Sequence, residues 1–255
     1  MSIKKLQGTS RMAIAEELTE EILFGGTLRC LQPRQGYRFS VDAVLLAHFL
    51  TPEPGARILD LGAGCGVVSL ILSRRWPTAS LVALEIQPRL AEVIRRNVII
   101  NFLENRVTVI EGDCRRVATL LPSNSFDWVA VNPPYYPTGS GRHNPKTERS
   151  KARHEILGGV GEMAEAAAFV LKTGGGAAFV YPAARVETLL GVLRENGLAP
   201  KRLQMVHPYP GAEAGLVLVE AVKDGGEGLA VLPPFVICQE KGGAYTSEMA
   251  AMYAG

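Results

Sequence analysis

No apolar run in this chain approaches the roughly 20 residues that a membrane-spanning helix needs, so no transmembrane segment is expected. The opening stretch, MSIKKLQGTSRMAIAEELTEE, lacks the apolar core of a signal peptide, and no secretory leader is expected either. Cysteine is scarce and scattered. Cys30, Cys65, Cys114 and Cys238 form no CxxC pair, which argues against zinc and against a disulfide framework and fits a reducing cytoplasm. His48, His143, His154 and His207 show no metal spacing, so no metal is predicted, and His48 in its apolar stretch reads as a packing residue. A net charge of only +2 excludes a protein that binds polyanions with its whole surface. Repeats and low-complexity segments are absent.

What is present is an ordinary globular balance over 255 residues, 47% apolar and 20% charged, which suits one α/β domain. TLRCLQ and GYRFS flank Pro33-Arg34-Gln35-Gly36, a plausible hairpin turn. A short helix is predicted in SVDAVLLAHFL, with Ser40 able to cap it. From Ala56 onward β-rich runs alternate with helical ones: ARILDL, a helix from about Val67, LVALE, a helix from about Arg89, RVTVIE, a short helix near Arg116–Leu121, then FDWVAV. Such alternation predicts a mostly parallel, Rossmann-like sheet with helices on both faces. Further on come a helix near Gly161–Leu171, the strand GAAFVY, a helix near Arg185–Asn196, and the strands KRLQMV and GLVLVE. No long helix separates that last pair, so they are expected to run antiparallel. Residues 1–55 read as an N-terminal arm, hairpin and short helix, 56–223 as a catalytic core and 224–255 as a C-terminal extension of a single domain.

Strand one ends in Asp60-Leu61-Gly62-Ala63-Gly64-Cys65-Gly66. Glycines there permit a sharp turn and a close approach of backbone to ligand. The spacing is neither the G-x-G-x-x-G of dinucleotide binding nor a P-loop with its Lys-Ser/Thr. Strand two ends at Glu85, where a carboxylate can accept both hydrogens of a ribose diol. Strand three runs into Glu111-Gly112-Asp113, and Asp113 is placed to accept from an adenine amino group. Acids at the carboxyl ends of successive parallel strands line the crevice where such sheets bind ligands. These stretches resemble the cofactor site of class I S-adenosylmethionine methyltransferases. The resemblance implies a seven-stranded sheet with an antiparallel last strand. It also implies that Asp60, Gly62, Ala63 and Gly64 face the methionine part, Glu85 the ribose and Ile86 the adenine ring, with Asp113 and the neighbouring Cys114 at its amino group.

Strand four runs into Asn132-Pro133-Pro134-Tyr135, which resembles the N-P-P-Y signature of methyltransferases acting on planar amino or amide nitrogens. The residue types suit that chemistry. An exocyclic amino nitrogen has its lone pair delocalised into the ring. Two acceptors, the Asn132 side-chain oxygen and the Pro133 carbonyl, can hold its hydrogens so that the lone pair points at the methyl donor. Proximity and alignment then supply much of the barrier reduction. Pro133 and Pro134 restrict the backbone that aims the carbonyl, and Tyr135 offers a stacking platform worth roughly 1–3 kcal/mol per base. A base inside a helix cannot reach such a pocket, so the target is unpaired or flipped out.

The signature is shared by enzymes acting on adenine in RNA, on adenine in DNA and on the glutamine of release factors. DNA enzymes usually carry a further recognition domain, and the glutamine enzymes a longer helical N-terminal domain than the hairpin and short helix read here. RNA is favoured, with a release-factor glutamine as the alternative. The segment from Arg142 to His154 carries Arg142, Lys146, Arg149, Lys151 and Arg153 against Glu148 alone, which suits a phosphate backbone. GYRFSVDAVLLAHF, NPPYYPTGSGR, ERSKARHE, LLPPFVI and YTSEM together resemble the bacterial tRNA1(Val) adenine-37 N6-methyltransferase family. That resemblance implies S-adenosyl-L-methionine as cofactor and an unpaired adenosine beside the anticodon of a tRNA as target; another RNA remains an alternative. It also implies that Ser40 and Asp42 close over the cofactor, and that Arg149, Arg153 and His154 border the RNA entrance. Tyr136 is expected to pack behind Tyr135 or to line the RNA path.

Overall fold

The computed structural model describes residues 18–35, 38–133 and 159–254. A hairpin of β1 (Leu18–Leu23) and β2 (Leu28–Pro33) comes first, followed by α1 (Val41–Phe49). The alternating part follows as β3 (Arg57–Leu61), α2 (Val67–Arg75), β4 (Ser80–Glu85), α3 (Pro88–Ile100), β5 (Val107–Glu111), α4 (Val117–Leu120) and β6 (Phe126–Val131). Then come α5 (159–170), β7 (Leu171–Pro182), α6 (Val186–Glu195), β8 (Leu198–His207) and β9 (Leu216–Lys223). Two short strands, β10 (Ala230–Val231) and β11 (Phe235–Val236), and the helix α7 (Ser247–Ala254) complete the described residues.

The main sheet runs in the order β10-β8-β9-β7-β6-β3-β4-β5, with β11 also on β8. The seven long strands match expectation, and β9 is antiparallel to both of its neighbours, β7 and β8. Beyond them the sheet gains two additions from the C-terminal extension, since β10 and β11 each pair with β8 in parallel. Side chains alternate across the sheet with the two-residue period of a strand. Ile58, Leu81 and Ala83 face the layer of α1, α2 and α3, whereas Leu59, Leu61, Val82 and Leu84 face the layer of α4, α5 and α6. Central strands buried on both faces read as unbroken apolar runs for this reason.

Helix α3 starts with Pro88 in its first turn, where a fixed φ favours the helix and a missing N–H loses nothing. It buries Leu90, Val93, Ile94 and Val98, each worth about 1.5–3 kcal/mol. The start of α2 lies close against it. Gly66 adopts φ +83°, and a Cβ there would come to 3.0 Å from Ile94 Cγ2, so this position needs glycine both for conformation and for space.

Two local expectations are corrected. The hairpin turns at Phe24–Thr27, with Leu23 opposite Leu28, so TLRCLQ pairs with the strand before it; Gly36 of the expected turn and Tyr37 after it lie outside the described residues. Phe24, Gly25 and Gly26 all take positive φ there. Ser40 does occupy the N-cap position of α1 in an extended conformation, yet its side chain makes no capping bond. His48 packs as expected: its Nδ1 lies 2.9 Å from the Val44 carbonyl oxygen and its ring stacks on Phe24.

Candidate active site at the carboxyl ends of the parallel strands

Register brings the ends of four strands level. Leu61 pairs with Leu84 on one side and Val131 on the other, and Glu85 pairs with Glu111. The segments that follow, Gly62–Gly66, Ile86–Gln87, Gly112–Asp113 and Asn132–Pro133, therefore crowd one rim of the sheet. The crevice outside these strand ends is where such sheets take ligands.

The glycine loop is tied down by its own amides. Gly62 N–H and Ala63 N–H both donate to the Leu84 carbonyl, at 2.9 and 3.0 Å, and Gly66 N–H donates to the Ala63 carbonyl at 2.8 Å. Gly64 N–H donates to Glu85 Oε2 at 2.8 Å. A phosphate cradle needs those N–H groups free. With the four engaged internally, the loop is poorly suited to a pyrophosphate, and backbone carbonyls are what it has left for a cation such as the ammonium of an amino acid. Gly62 takes φ +76°, and a Cβ on it would fall 2.6 Å from Met163 Cε of α5, so the loop is also packed from above.

Glu85 is buried, and no ion pair to it is found among the described residues. Its Oε2 takes the Gly64 N–H and its Oε1 the Gln87 N–H, both at 2.8 Å. Burial pushes its carboxyl above the ordinary value, and the backbone N–H bonds oppose that shift. A carboxylate oxygen accepts more than one hydrogen bond, so the pair retains capacity for a diol. Ile86 beside it is 53% exposed, an apolar surface suited to a flat ring. Asp60 in β3 is buried as well. Its Oδ2 accepts from Ser69 Oγ at 2.7 Å and Ser69 N–H at 3.0 Å, so it holds the first turn of α2. Burial raises its carboxyl to about 6.

Asp113 differs from both. Its carboxylate clasps Arg115, with Oδ2 accepting from the Arg115 Nε at 2.8 Å and Oδ1 from the Arg115 N–H at 3.0 Å, and the guanidinium holds it below the usual range. Cys114 next to it is partly buried, and burial lifts its thiol to about 11. Asp42 is buried in the first turn of α1, whereas Ser40 is exposed. Asn132 is partly buried and Pro133 buried at the end of β6. Pro134, Tyr135, Tyr136, Arg142, Lys146, Arg149, Lys151, Arg153 and His154 lie outside the described residues.

The structure adds residues that the motifs did not single out: Ser69 behind Asp60, Met163 above Gly62, and Asn97 of α3, which is fully buried and donates to the Cys65 carbonyl at 2.9 Å. Asn97 had a readable signal. It sits three residues after Ile94 and seven after Leu90, on the apolar face of its helix. A cavity of about 400 Å³ bordered by Arg194, Gly197 and Asp224 lies at the opposite ends of β8 and β9, away from this rim. Among the described residues no group of three or more His, Cys, Asp or Glu is arranged to hold a metal ion, and no helix is long and apolar enough to cross a membrane.

Strand order, the antiparallel β9 and the glycine loop against an acid at the end of β4 together define the class I, Rossmann-like methyltransferase fold. Within that class the chain belongs to the Methyltransferase small domain family, which matches residues 39–184. It is similar to a tRNA1(Val) (adenine(37)-N6)-methyltransferase of Bacteroides fragilis, 31% identical over 71% of this chain and 76% of the relative. An enzyme of the same name from Porphyromonas gingivalis is 30% identical over 72% of this chain and 73% of its own length. Among solved structures, a predicted O-methyltransferase from Agrobacterium tumefaciens superposes with a TM-score of 0.68 at 24% identity, covering 83% of this chain and 95% of that one. The chain is a methyltransferase, and its cofactor is S-adenosyl-L-methionine. The rim fits that cofactor: a glycine loop with its amides engaged, a buried carboxylate with acceptor capacity and an exposed apolar Ile86.

Proposed function

We propose that this protein transfers a methyl group to the exocyclic N6 of an unpaired adenosine in RNA, specifically a tRNA adenosine beside the anticodon. The observation that carries the reading is the register of β3 against β6. Leu61 pairs with Val131, so Asn132 follows directly beside Gly62 of the cofactor loop. Acceptors for an amino group and the donor loop thus share one rim. The names of the Bacteroides and Porphyromonas relatives supply the substrate.

In this reading Asn132 Oδ1 and the Pro133 carbonyl accept the two N6 hydrogens and orient the lone pair. They also stabilise the positive charge that develops on nitrogen as the new bond forms. When bound, S-adenosyl-L-methionine supplies an electrophilic methyl on a sulfonium. The methylated nitrogen is left with a surplus proton, acidic enough to pass to water, so the site needs no strong base. Glu85 holds the ribose and Ile86 the adenine of the cofactor, with Asp60, Gly62, Ala63 and Gly64 at its methionine end and Asp113 and Cys114 at its adenine amino group. Ser40 and Asp42 border the same pocket. Tyr135 stacks on the target base, Pro134 fixes the backbone between, Tyr136 lines the approach, and the basic segment with Arg142, Lys146, Arg149, Lys151, Arg153 and His154 holds the RNA backbone.

The test is direct. Purified protein with labelled donor is offered unmodified tRNA, and nucleosides are separated by mass spectrometry. N6-methyladenosine is expected, with transfer falling steeply as salt rises. Asn132→Ala is expected to lose on the order of 10²–10³-fold in turnover, the scale of a removed oxyanion-type contact. Methylation of a release-factor glutamine with no transfer to RNA would overturn the proposal.

A further inference from the structure

The free edge of β2 is closed by two asparagines four residues apart, Asn97 in α3 and Asn101 at its C-cap. Asn101 Oδ1 accepts from the Arg29 N–H at 2.9 Å, and its Nδ2 donates to the Arg29 carbonyl at 2.7 Å. Asn97 repeats the pattern two residues along the strand, accepting from the Leu31 N–H at 2.7 Å and donating to the Leu31 carbonyl at 2.9 Å. Each side-chain amide thus stands in for a residue of a neighbouring strand. The two then differ in one respect. Asn97 uses the second hydrogen of Nδ2 on the Cys65 carbonyl, inside the glycine loop, whereas Asn101 turns back to the Asn97 carbonyl of its own helix.

That bond stands on a side of the loop that the other ties leave open. Gly62, Ala63 and Gly64 are fastened towards β4, through the Leu84 carbonyl and the Glu85 carboxylate. Cys65 is fastened towards α3 and, through the same amide, to the hairpin. Asn97 is fully buried, and its bond to the Cys65 carbonyl is buried with it, so removing the amide leaves that carbonyl without this partner in the interior. Cys30 and Cys65, both buried, lie on either side of this junction, and Asn97 Nδ2 approaches Cys30 Sγ at 4.0 Å.

We propose that Asn97 is a positioning residue for the methyl-donor loop, one that makes the affinity for the donor depend on docking of the N-terminal hairpin. The proposal rests on the donor reading of the rim and is independent of which acceptor is methylated. It places control of the cofactor site in an element that lies outside the alternating strands and helices and is tied to the loop by the Asn97 amide. Linkage requires the converse as well: a ligand that holds the loop must tighten the hairpin by the same factor.

Four measurements test it. Binding of S-adenosyl-L-homocysteine by calorimetry needs no RNA and is made on the wild type, Asn97→Ala and Asn101→Ala. Asn97→Ala is expected to weaken binding by about tenfold and to raise the donor KM in step, with kcat at saturating donor within about twofold. Asn101→Ala lowers the melting temperature to a similar degree but keeps both constants within about twofold, because its amide does not touch the loop. An Asn97→Ala protein that melts earlier with unchanged donor affinity overturns the proposal, as do parallel losses in both variants. Should Asn97→Ala fail to fold, amide exchange in the wild type decides. S-adenosyl-L-homocysteine is expected to slow exchange of the Leu31 N–H about fivefold or more, and no slowing there sinks the idea. Wild-type protein that bound no S-adenosyl-L-homocysteine would remove the donor reading and the proposal with it, a result recognised without any variant.

Discussion

Glu85 ends β4 and Asp113 follows its parallel neighbour β5, yet the two acids are held in opposite ways. Glu85 is buried, and two backbone amides hold it, one on each oxygen. Asp113 clasps the guanidinium of Arg115, a side chain that is itself 58% exposed. Backbone donors cannot leave without dismantling the loop that carries them. An exposed guanidinium can swing away and be replaced by water or by a ligand, and such pairs contribute little net stability. The contrast separates an acid that is part of the loop's framework from one that is a replaceable contact on its border.

The sharpest way to break the comparison is to remove each acid. Glu85→Ala leaves the Gly64 and Gln87 amides unpaired, at about 1–3 kcal/mol each where buried, and takes away the diol acceptor. Donor affinity is expected to fall about a hundredfold or more by calorimetry, with an earlier thermal transition. Asp60 provides the next largest effect, through pH. Its folded-state carboxyl sits near 6 against an ordinary 3.8, so the folded protein binds the extra proton between those values. Its contribution is full below about pH 4 and is lost as pH rises through about 6, a span worth about 3 kcal/mol. Asp60→Asn keeps an acceptor for Ser69 and removes the titration. Urea midpoints of the variant are expected to gain on the wild type between pH 4 and 7 and then run level.

Gly62→Ala comes third. It meets both a left-handed φ and the Met163 methyl, and a loss of about 1–3 kcal/mol is expected. The Gly62→Ala/Met163→Ala pair should recover the steric share and leave the conformational one. Smallest is Asp113→Asn, expected to change donor affinity less than about fivefold and to do so less at high salt. An Asp113→Asn loss as deep as that of Glu85→Ala would erase the distinction between the two acids.

Much of this was legible in the residues. Apolar runs at ARILDL, LVALE and FDWVAV mark central strands because both faces are buried, and the glycines and acids after them mark the rim. The hairpin was misplaced because Pro33-Arg34-Gln35-Gly36 is a better turn text than Phe24-Gly25-Gly26, where an aromatic residue adopts φ +53°. Asp60 and Glu85 both read as ligand-facing acids at strand ends. Only the structure shows that one oxygen of Asp60 is taken by Ser69. The helical period places Asn97 on the buried face of α3, but its three partners come from β2 and the glycine loop and are seen only in the structure.

The two short strands on β8 carry a consequence for the protein at high concentration. An open sheet margin is a template on which other chains can add. Here the margin of β8 is occupied in two steps, by Ala230–Val231 and by Phe235–Val236, with Leu232-Pro233-Pro234 between them. The two prolines have no N–H to offer, and each step is only two residues long. A passing strand therefore finds no continuous ladder to extend on that side of β8.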